Sequence, residues 1–293
     1  MATWQYYHNS STTNDALKVL KNTSESVKII SGGTDLLLDI QQGRHEEVHT
    51  LVDVNTVPTM HVLEILDGYL HIGAANLHRV IAQSPLVKEH AAALATASGL
   101  IGGPQVRNIG TIGGNVAHAL PAADGTIALL CLNAQADIAS SNGFRQVPMA
   151  ELFLGPGKSA LKPKEEILTG FDIALRKKGE GSAFNRTMRP QGVAIAILNL
   201  AVWISMRADV IADIRIAAGP TGPVPRRLTA AENALRGKTI TDKTIAGAYE
   251  AATGEVQLRT SRHRATQAYR QDVLGNLLEK TIREAAVNAG VKL

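Results

Sequence analysis

Residues 101–124 read IGGPQVRNIGTIGGNVAHALPAAD, and a smaller glycine motif, IISGGTDLL, occupies residues 29–37. Each pairs glycines with small polar residues: Ser31, Gly32, Gly33 and Thr34 in one, Thr111, Gly113, Gly114 and Asn115 in the other. Glycine permits positive φ and lets a ligand approach the backbone with no Cβ in the way. Successive N–H groups in such turns form an anion-binding nest, to which Ser, Thr and Asn side chains add donors. Two nests suit a pyrophosphate held from both sides, as in a dinucleotide cofactor; two tight turns without a ligand are the plainer alternative. The common phosphate folds do not fit. No G-x-G-x-x-G run is present. Gly157-Lys158-Ser159 imitates the end of a P-loop, but Leu152 holds the first glycine position and Pro156 removes a donor.

With 293 residues the chain is long enough for two domains and a substantial core. Apolar residues make up 45% and charged residues 19%, which excludes a disordered chain. The longest apolar runs, such as AIAILNLAVWI at 194–204, are too short to span a bilayer. MATWQYYHNSS lacks the basic start and apolar core of a signal peptide, so a cytoplasmic protein is expected. The single cysteine, Cys131, excludes an internal disulfide or an iron–sulfur cluster held by this chain alone. A net charge of +4 is spread over scattered lysines and arginines, and aromatics are only 4%, too few for base-stacking platforms. Nucleic acid is not an expected partner; a mildly basic surface facing an acidic subunit accounts for the charge.

In chain order, residues 1–55 predict a small α/β unit: a helix in DALKVLKN behind N-cap candidates at 10–14, strands VKIIS and VHTLVDVN, and a helix LLLDIQQ that stops at Gly43. His45-Glu46-Glu47-Val48-His49 matches H-E-x-x-H, but it follows a glycine stop and leads into a β-branched strand, so a polar loop is expected rather than a zinc helix. Residues 60–140 read as strands HVLEIL and YLHIGA, a helix opening near Asn76, an apolar helix at 90–100, then helix and strand in GTIALLCLNAQADIAS. Asn142-Gly143 signals a hairpin, and EEILTGFDIAL a strand closing the domain. KKGEG at 177–181 is the expected linker. Beyond it come antiparallel strands and then helices, the pattern of a separate α+β domain. No nucleophile–base pair, paired carboxylates or metal cage stands out.

SGGTDLL, then TIGGN and PAAD, closely resemble the FAD-binding medium subunit of the molybdenum hydroxylases, the family of xanthine, carbon monoxide and nicotinate dehydrogenases. The resemblance extends through residues 51–81, 152–168, 223–238 and 264–278. It implies an α+β fold: a two-part FAD-binding domain of the vanillyl-alcohol-oxidase type over 1–176 (parts about 1–55 and 56–176), then a smaller carbon monoxide dehydrogenase flavoprotein C-terminal-like domain over 177–293. It implies FAD in this chain, with molybdopterin in a large partner subunit and [2Fe-2S] clusters in a small one. Electrons would pass from those clusters through FAD to an external acceptor, in a dimer of heterotrimers. A self-standing FAD oxidase would need a substrate pocket with an acid or base, and a flavin-free structural subunit would not need intact glycine motifs.

By the same resemblance, Ile29, Ile30, Ser31, Gly32, Gly33, Thr34, Asp35 and Leu36 line the first cofactor contact. Thr111, Ile112, Gly113, Gly114 and Asn115 form the second nest. Asp124 corresponds to an acid near the adenosine ribose; a helix N-cap is its competing role. Ile101 and Leu168 correspond to residues walling the flavin ring. Asn185 stands where a lysine contacts the cofactor in xanthine dehydrogenase-like relatives; Arg186 and Arg189 are candidates to replace its charge, with a solvated arginine the plainer expectation for either. Arg107 is close enough to add positive charge near phosphate, and His78 replaces a threonine of the family pattern near the flavin.

Overall fold

The structure, a computed structural model, describes residues 4–44, 47–190, 195–262 and 264–292. The H-E-x-x-H match therefore falls partly outside the described residues, at His45 and Glu46. Its last member, His49, bonds Thr50 Oγ1 through Nδ1 at 2.9 Å and packs on Tyr6 with ring centroids 4.9 Å apart.

The chain opens with strand β1 (Tyr6–Asn9) and helix α1 (Thr13–Asn22), followed by β2 (Val27–Ile30), α2 (Leu36–Gln41) and β3 (Thr50–Asp53). Thr12 caps α1 by accepting from the Asp15 amide, and the helix buries Ala16, Leu17 and Leu20. The strands form a parallel sheet in the order β1-β3-β2, with the fully buried β3 in its middle. At the end of β2 the chain leaves the sheet as the loop 31–35, the place where a parallel sheet exposes free backbone.

The next part contributes β4 (Leu63–Leu66), β5 (Tyr69–Gly73) and six short helices: α3 (His78–Gln83), α4 (Pro85–His90), α5 (Ala92–Leu100), α6 (Pro104–Arg107), α7 (Ile112–Ala117) and α8 (Asp124–Cys131). Strands β6 (Gln135–Ser140), β7 (Gly143–Pro148), β8 (Phe153–Gly155), β9 (Lys158–Ser159) and β10 (Glu166–Ala174) follow. A five-stranded antiparallel sheet runs β4-β5-β10-β6-β7. The segment expected to close this part, β10, is thus its central strand, because it pairs with both β5 and β6. The predicted hairpin is present, with Ser140 opposite Gly143. Helix α8 is buried at every residue, Cys131 included, as its uniformly apolar sequence requires.

Strands β11 (Glu180–Thr187), β12 (Leu198–Arg207), β13 (Val210–Gly219) and β14 (Arg226–Arg227) make an antiparallel sheet. Helices α9 (Thr229–Leu235), α10 (Asp242–Glu255) and α11 (Gln267–Asn288) complete the chain. Side chains alternate across this sheet. Ala183, Val202 and Ile216 share one face and pack in the core beneath α9–α11. Phe184, Ala201 and Ala217 share the other and join the core of the first part, against α5 and α8. The expected linker is therefore a tight turn: the Glu180 amide donates to Lys177 O at 3.0 Å, and Glu180 and Gly181 already belong to β11.

Because one core crosses the turn, Phe184→Ala should destabilise the whole chain by about 3–5 kcal/mol and leave one cooperative transition. Chemical denaturation followed by circular dichroism checks this; two separated transitions with only the second shifted would contradict a shared core.

Candidate functional site

The loop after β2 and the loop before α7 touch through backbone alone. A Cβ on Gly32 would lie 2.4 Å from Ile109 O and 2.8 Å from the Gly110 Cα, so no side chain fits there. Gly33 takes φ +67°, the left-handed region that favours glycine. Asn55 pins the loop from below, donating from Nδ2 to Ser31 O at 2.8 Å, while Ser31 Oγ donates to its Oδ1 at 3.0 Å. Among the described residues, the amides of Gly32, Gly33 and Thr34 reach no protein acceptor. Within the loop, these three consecutive amides stand as free donors.

The second motif differs from the expected nest. The Ile112 amide donates to Asn76 O at 3.0 Å and the Gly113 amide to Ala74 O at 2.8 Å. The Gly114 amide donates to Thr111 Oγ1 at 3.2 Å, the N-cap of α7, and the Asn115 amide to Thr111 O at 3.0 Å. These donors are already satisfied, because the segment is a helix start rather than an open turn. Its two glycines also divide their work. A Cβ on Gly113 would meet Ala74 at 2.6 Å, a packing limit; one on Gly114 would meet only Thr111 Oγ1, at 3.1 Å. Gly114 lines a cavity, whereas the Ile112 side chain is wholly buried in core.

That cavity, about 310 Å³, lies between residues 29–36 on one side and His78, Ile101, Gly110, Thr111, Gly114 and Asn115 on the other. Two further compartments share its walls. One of about 120 Å³ is apolar, lined by Ile29, Met60, Leu161 and Leu168 among others. The other, about 220 Å³, is bounded by Asp35, Ile101, His118, Asp124 and Arg186. Ile101 and Leu168, expected to wall the same ring, thus line different compartments.

Asp124 caps nothing: it is the first residue of α8, whose N-cap is Ala123. Its carboxylate accepts from Arg186 Nη1 at 2.5 Å and from Asn199 Nδ2 at 2.6 Å. Burial pushes this carboxyl above its ordinary range, and the guanidinium beside it opposes that push. The expectation for Asn185 is corrected by strand alternation. It pairs with Leu200 on the face covered by α11, where its amide donates to Glu284 at 2.7 Å and Thr281 at 3.3 Å. The next residue, Arg186, faces the compartment instead. Arg107 is also committed elsewhere, donating from Nη1 to the carbonyls of Ile101 and Gly102 at 3.1 and 2.8 Å. It shapes the wall around Ile101. Asn115 accepts from the Thr126 amide at 3.1 Å and so joins α7 to α8.

His78 lines the main cavity, is 2% exposed, and among the described residues its Nδ1 has no partner. Burial, helped by the Arg107 charge, lowers its pKa to about 4, so the ring is neutral at pH 7. Sequence reading missed one cluster. His71, Asp137 and Asp172 meet on the sheet of β5, β6 and β10, with one ligand-type atom from each within 4.8 Å of the others. His71 Nδ1 bonds Asp172 Oδ1 at 2.7 Å. The three lie far apart in sequence, and only the strand register brings them together.

Against known proteins, residues 2–173 match the family described as the FAD binding domain in molybdopterin dehydrogenase. Residues 182–285 match the CO dehydrogenase flavoprotein C-terminal domain. The nicotine 6-hydroxylase medium subunit of Paenarthrobacter nicotinovorans is 32% identical over 280 residues, 95% of this chain and 96% of that one. The xanthine dehydrogenase FAD-binding subunit of Escherichia coli O157:H7 is 29% identical over 289 residues, 98% of each chain. Among solved structures, carbon monoxide dehydrogenase from Hydrogenophaga pseudoflava superposes with a TM-score of 0.91 at 27% identity, covering 97% of this chain and 98% of that one. Quinoline 2-oxidoreductase from Pseudomonas putida 86 gives 0.90 at 26% identity, covering 98% of each.

The His78 geometry predicts a pH dependence. Its folded pKa lies below the unfolded value, so the unfolded chain binds the proton more readily between about pH 6.5 and 4. Stability therefore falls as pH drops through that window, by up to about 3 kcal/mol from this residue. Urea midpoints of wild type and His78→Gln, compared at pH 7 and pH 4.5, should converge at the lower pH. Parallel curves would show that His78 does not titrate this way.

Proposed function

The chain belongs to the FAD-binding molybdopterin dehydrogenase family, and we propose that it holds one FAD as the medium subunit of a molybdenum hydroxylase. The observation that carries this is the groove between loop 31–35 and the α7 start, with three free amides on one wall and the open Gly114 on the other. A pyrophosphate needs donors and close backbone approach, and this groove offers both.

The remaining residues of the groove suit the rest of the cofactor. In this reading Gly32, Gly33 and Thr34 donate to the pyrophosphate, with Thr111 and Asn115 across from them. The narrow apolar compartment at Ile29, Met60 and Leu168 suits the adenine, a flat ring that gains from apolar burial. The wider compartment at Ile101, Asp124 and Arg186 then takes the isoalloxazine. This reverses the expected role of Asp124, which here supports an arginine rather than a ribose. Bound flavin would supply the redox chemistry; the chain's residues bind it, orient it and set its electrostatic surroundings. His78 keeps a neutral ring beside the groove and adds no charge.

The partners follow from the same reading: a molybdopterin-binding large subunit, a [2Fe-2S] small subunit and an external electron acceptor, in a cytoplasmic dimer of heterotrimers. Similarity along almost the full length to medium subunits of such enzymes supports it. Among the described residues, no helix is long and apolar enough to cross a membrane. Residues 1–176 would carry the cofactor and 177–293 brace its flavin end.

The absorption spectrum of the purified chain, with the released chromophore identified by mass, tests this directly. FAD at near-equal stoichiometry without iron–sulfur absorbance is the expected result. Gly114→Val should lose most of the FAD while keeping a wild-type circular dichroism spectrum, since its Cβ meets little protein. Full occupancy in that variant would sink the groove assignment.

A further inference from the structure

Arg186 is held in a way that a simple bridge between two halves of the protein does not need. Its side chain is 7% exposed, yet only Nη1 bonds the Asp124 carboxylate. Nη2 reaches the Met188 sulfur at 3.1 Å, a weak acceptor, and among the described residues the buried Nε has no partner. Arginine–carboxylate pairs often engage two donors in parallel. Here the guanidinium turns one donor to its carboxylate and leaves most of its hydrogen-bonding capacity unmatched, at the wall of the 220 Å³ compartment. A buried, unsatisfied donor on a charged group is costly unless a ligand completes it.

The carboxylate is itself held. Asn199 is wholly buried and donates from Nδ2 to Asp124 Oδ1 at 2.6 Å and to Ala122 O at 3.1 Å. Asn199 lies opposite Arg186 in the β11–β12 pairing, so both side chains leave the sheet on the same face. Asp124, at the start of α8, meets them from the other side. The guanidinium is thereby fixed by three elements before any ligand arrives.

Resting on the FAD reading above, we propose that Arg186 is the fixed cation that contacts the isoalloxazine, and that Asp124 and Asn199 are positioning residues that hold it there. On full reduction at neutral pH the ring takes up two electrons and one proton and so gains one negative charge. A fixed guanidinium favours that charged form over the neutral oxidised one and raises the reduction potential. Asp124 offsets part of the cation's field, so the pair sets the potential to an intermediate value.

The test is the two-electron midpoint potential of the FAD-loaded full-length chain, measured by dithionite reduction against a reference dye, together with FAD content and thermal midpoint. Arg186→Gln should weaken binding of reduced FAD about tenfold relative to oxidised FAD. For a two-electron couple this lowers the potential by about 30 mV. Arg186→Lys should stay closer to wild type, because the charge remains. Asp124→Asn should move the potential the opposite way, upward, since the arginine loses its counter-charge. A merely structural bridge would lower the thermal midpoint in both Arg186→Gln and Asp124→Asn without shifts of opposite sign, and that result overturns the proposal. Should Arg186→Gln lose its FAD, Asp124→Asn decides: an upward shift of the potential supports the proposal, and no shift or a downward one overturns it. A wild-type chain that takes up no FAD overturns the cofactor reading itself, an outcome separate from any change of potential.

Discussion

The close backbone approach of residues 32 and 109–110 is the contact on which the site depends. Any Cβ at Gly32 would collide with Ile109 O and push the β2 loop off the loop before α7. Gly113 repeats the device against Ala74. Together they clamp two sheets of different kind, one parallel and one antiparallel, at a spacing set by peptide units rather than side chains. The groove between them is narrow because the clamp is. Most of its free donors come from the β2 loop, which ends a parallel strand and so has unpaired amides, whereas the Ile112–Asn115 amides of the α7 segment are taken up by Asn76, Ala74 and Thr111.

The third sheet completes the arrangement from the far side. With Ala183, Val202 and Ile216 turned to the terminal helices and Phe184, Ala201 and Ala217 turned to α8, it serves as a wall for two cores. At its edge nearest the groove the same alternation sends Arg186 and Asn199 toward Asp124. The ion pair is buried on both partners, and such pairs bring little net stability after desolvation. Retaining one here makes better sense as placement of charge at a ligand wall than as reinforcement.

Most of the fold was readable. Capping at Thr12, the hairpin at Ser140–Gly143, the apolar α8 and the strand-then-helix order of the final part each follow from local chemistry, since capping, turn preference and side-chain period act over a few residues. The errors fall where pairing partners matter. Strand β10 reads as a closing element but lies centrally, because nothing in EILTGFDIA says how many neighbours it has. The turn at 177–180 has linker composition, yet a core passes across it. Likewise the His71, Asp137 and Asp172 cluster has no local signature; three strands assemble it.

By itself the sequence determined which backbone segments stand uncovered by a Cβ, through the glycines at 32, 33, 113 and 114, and it determined the family through those motifs and their order. Tertiary structure decided what each position does. It separated the packing glycine, Gly113, from the open one, Gly114, by the presence of Ala74. It separated Asn185 from Arg186 by the side of the sheet each faces. It divided Ile101 and Leu168 between two compartments. In each case the deciding quantity is which atoms lie opposite a residue across space, and that is fixed by strand register and helix packing over long separations, not by the neighbours in the chain.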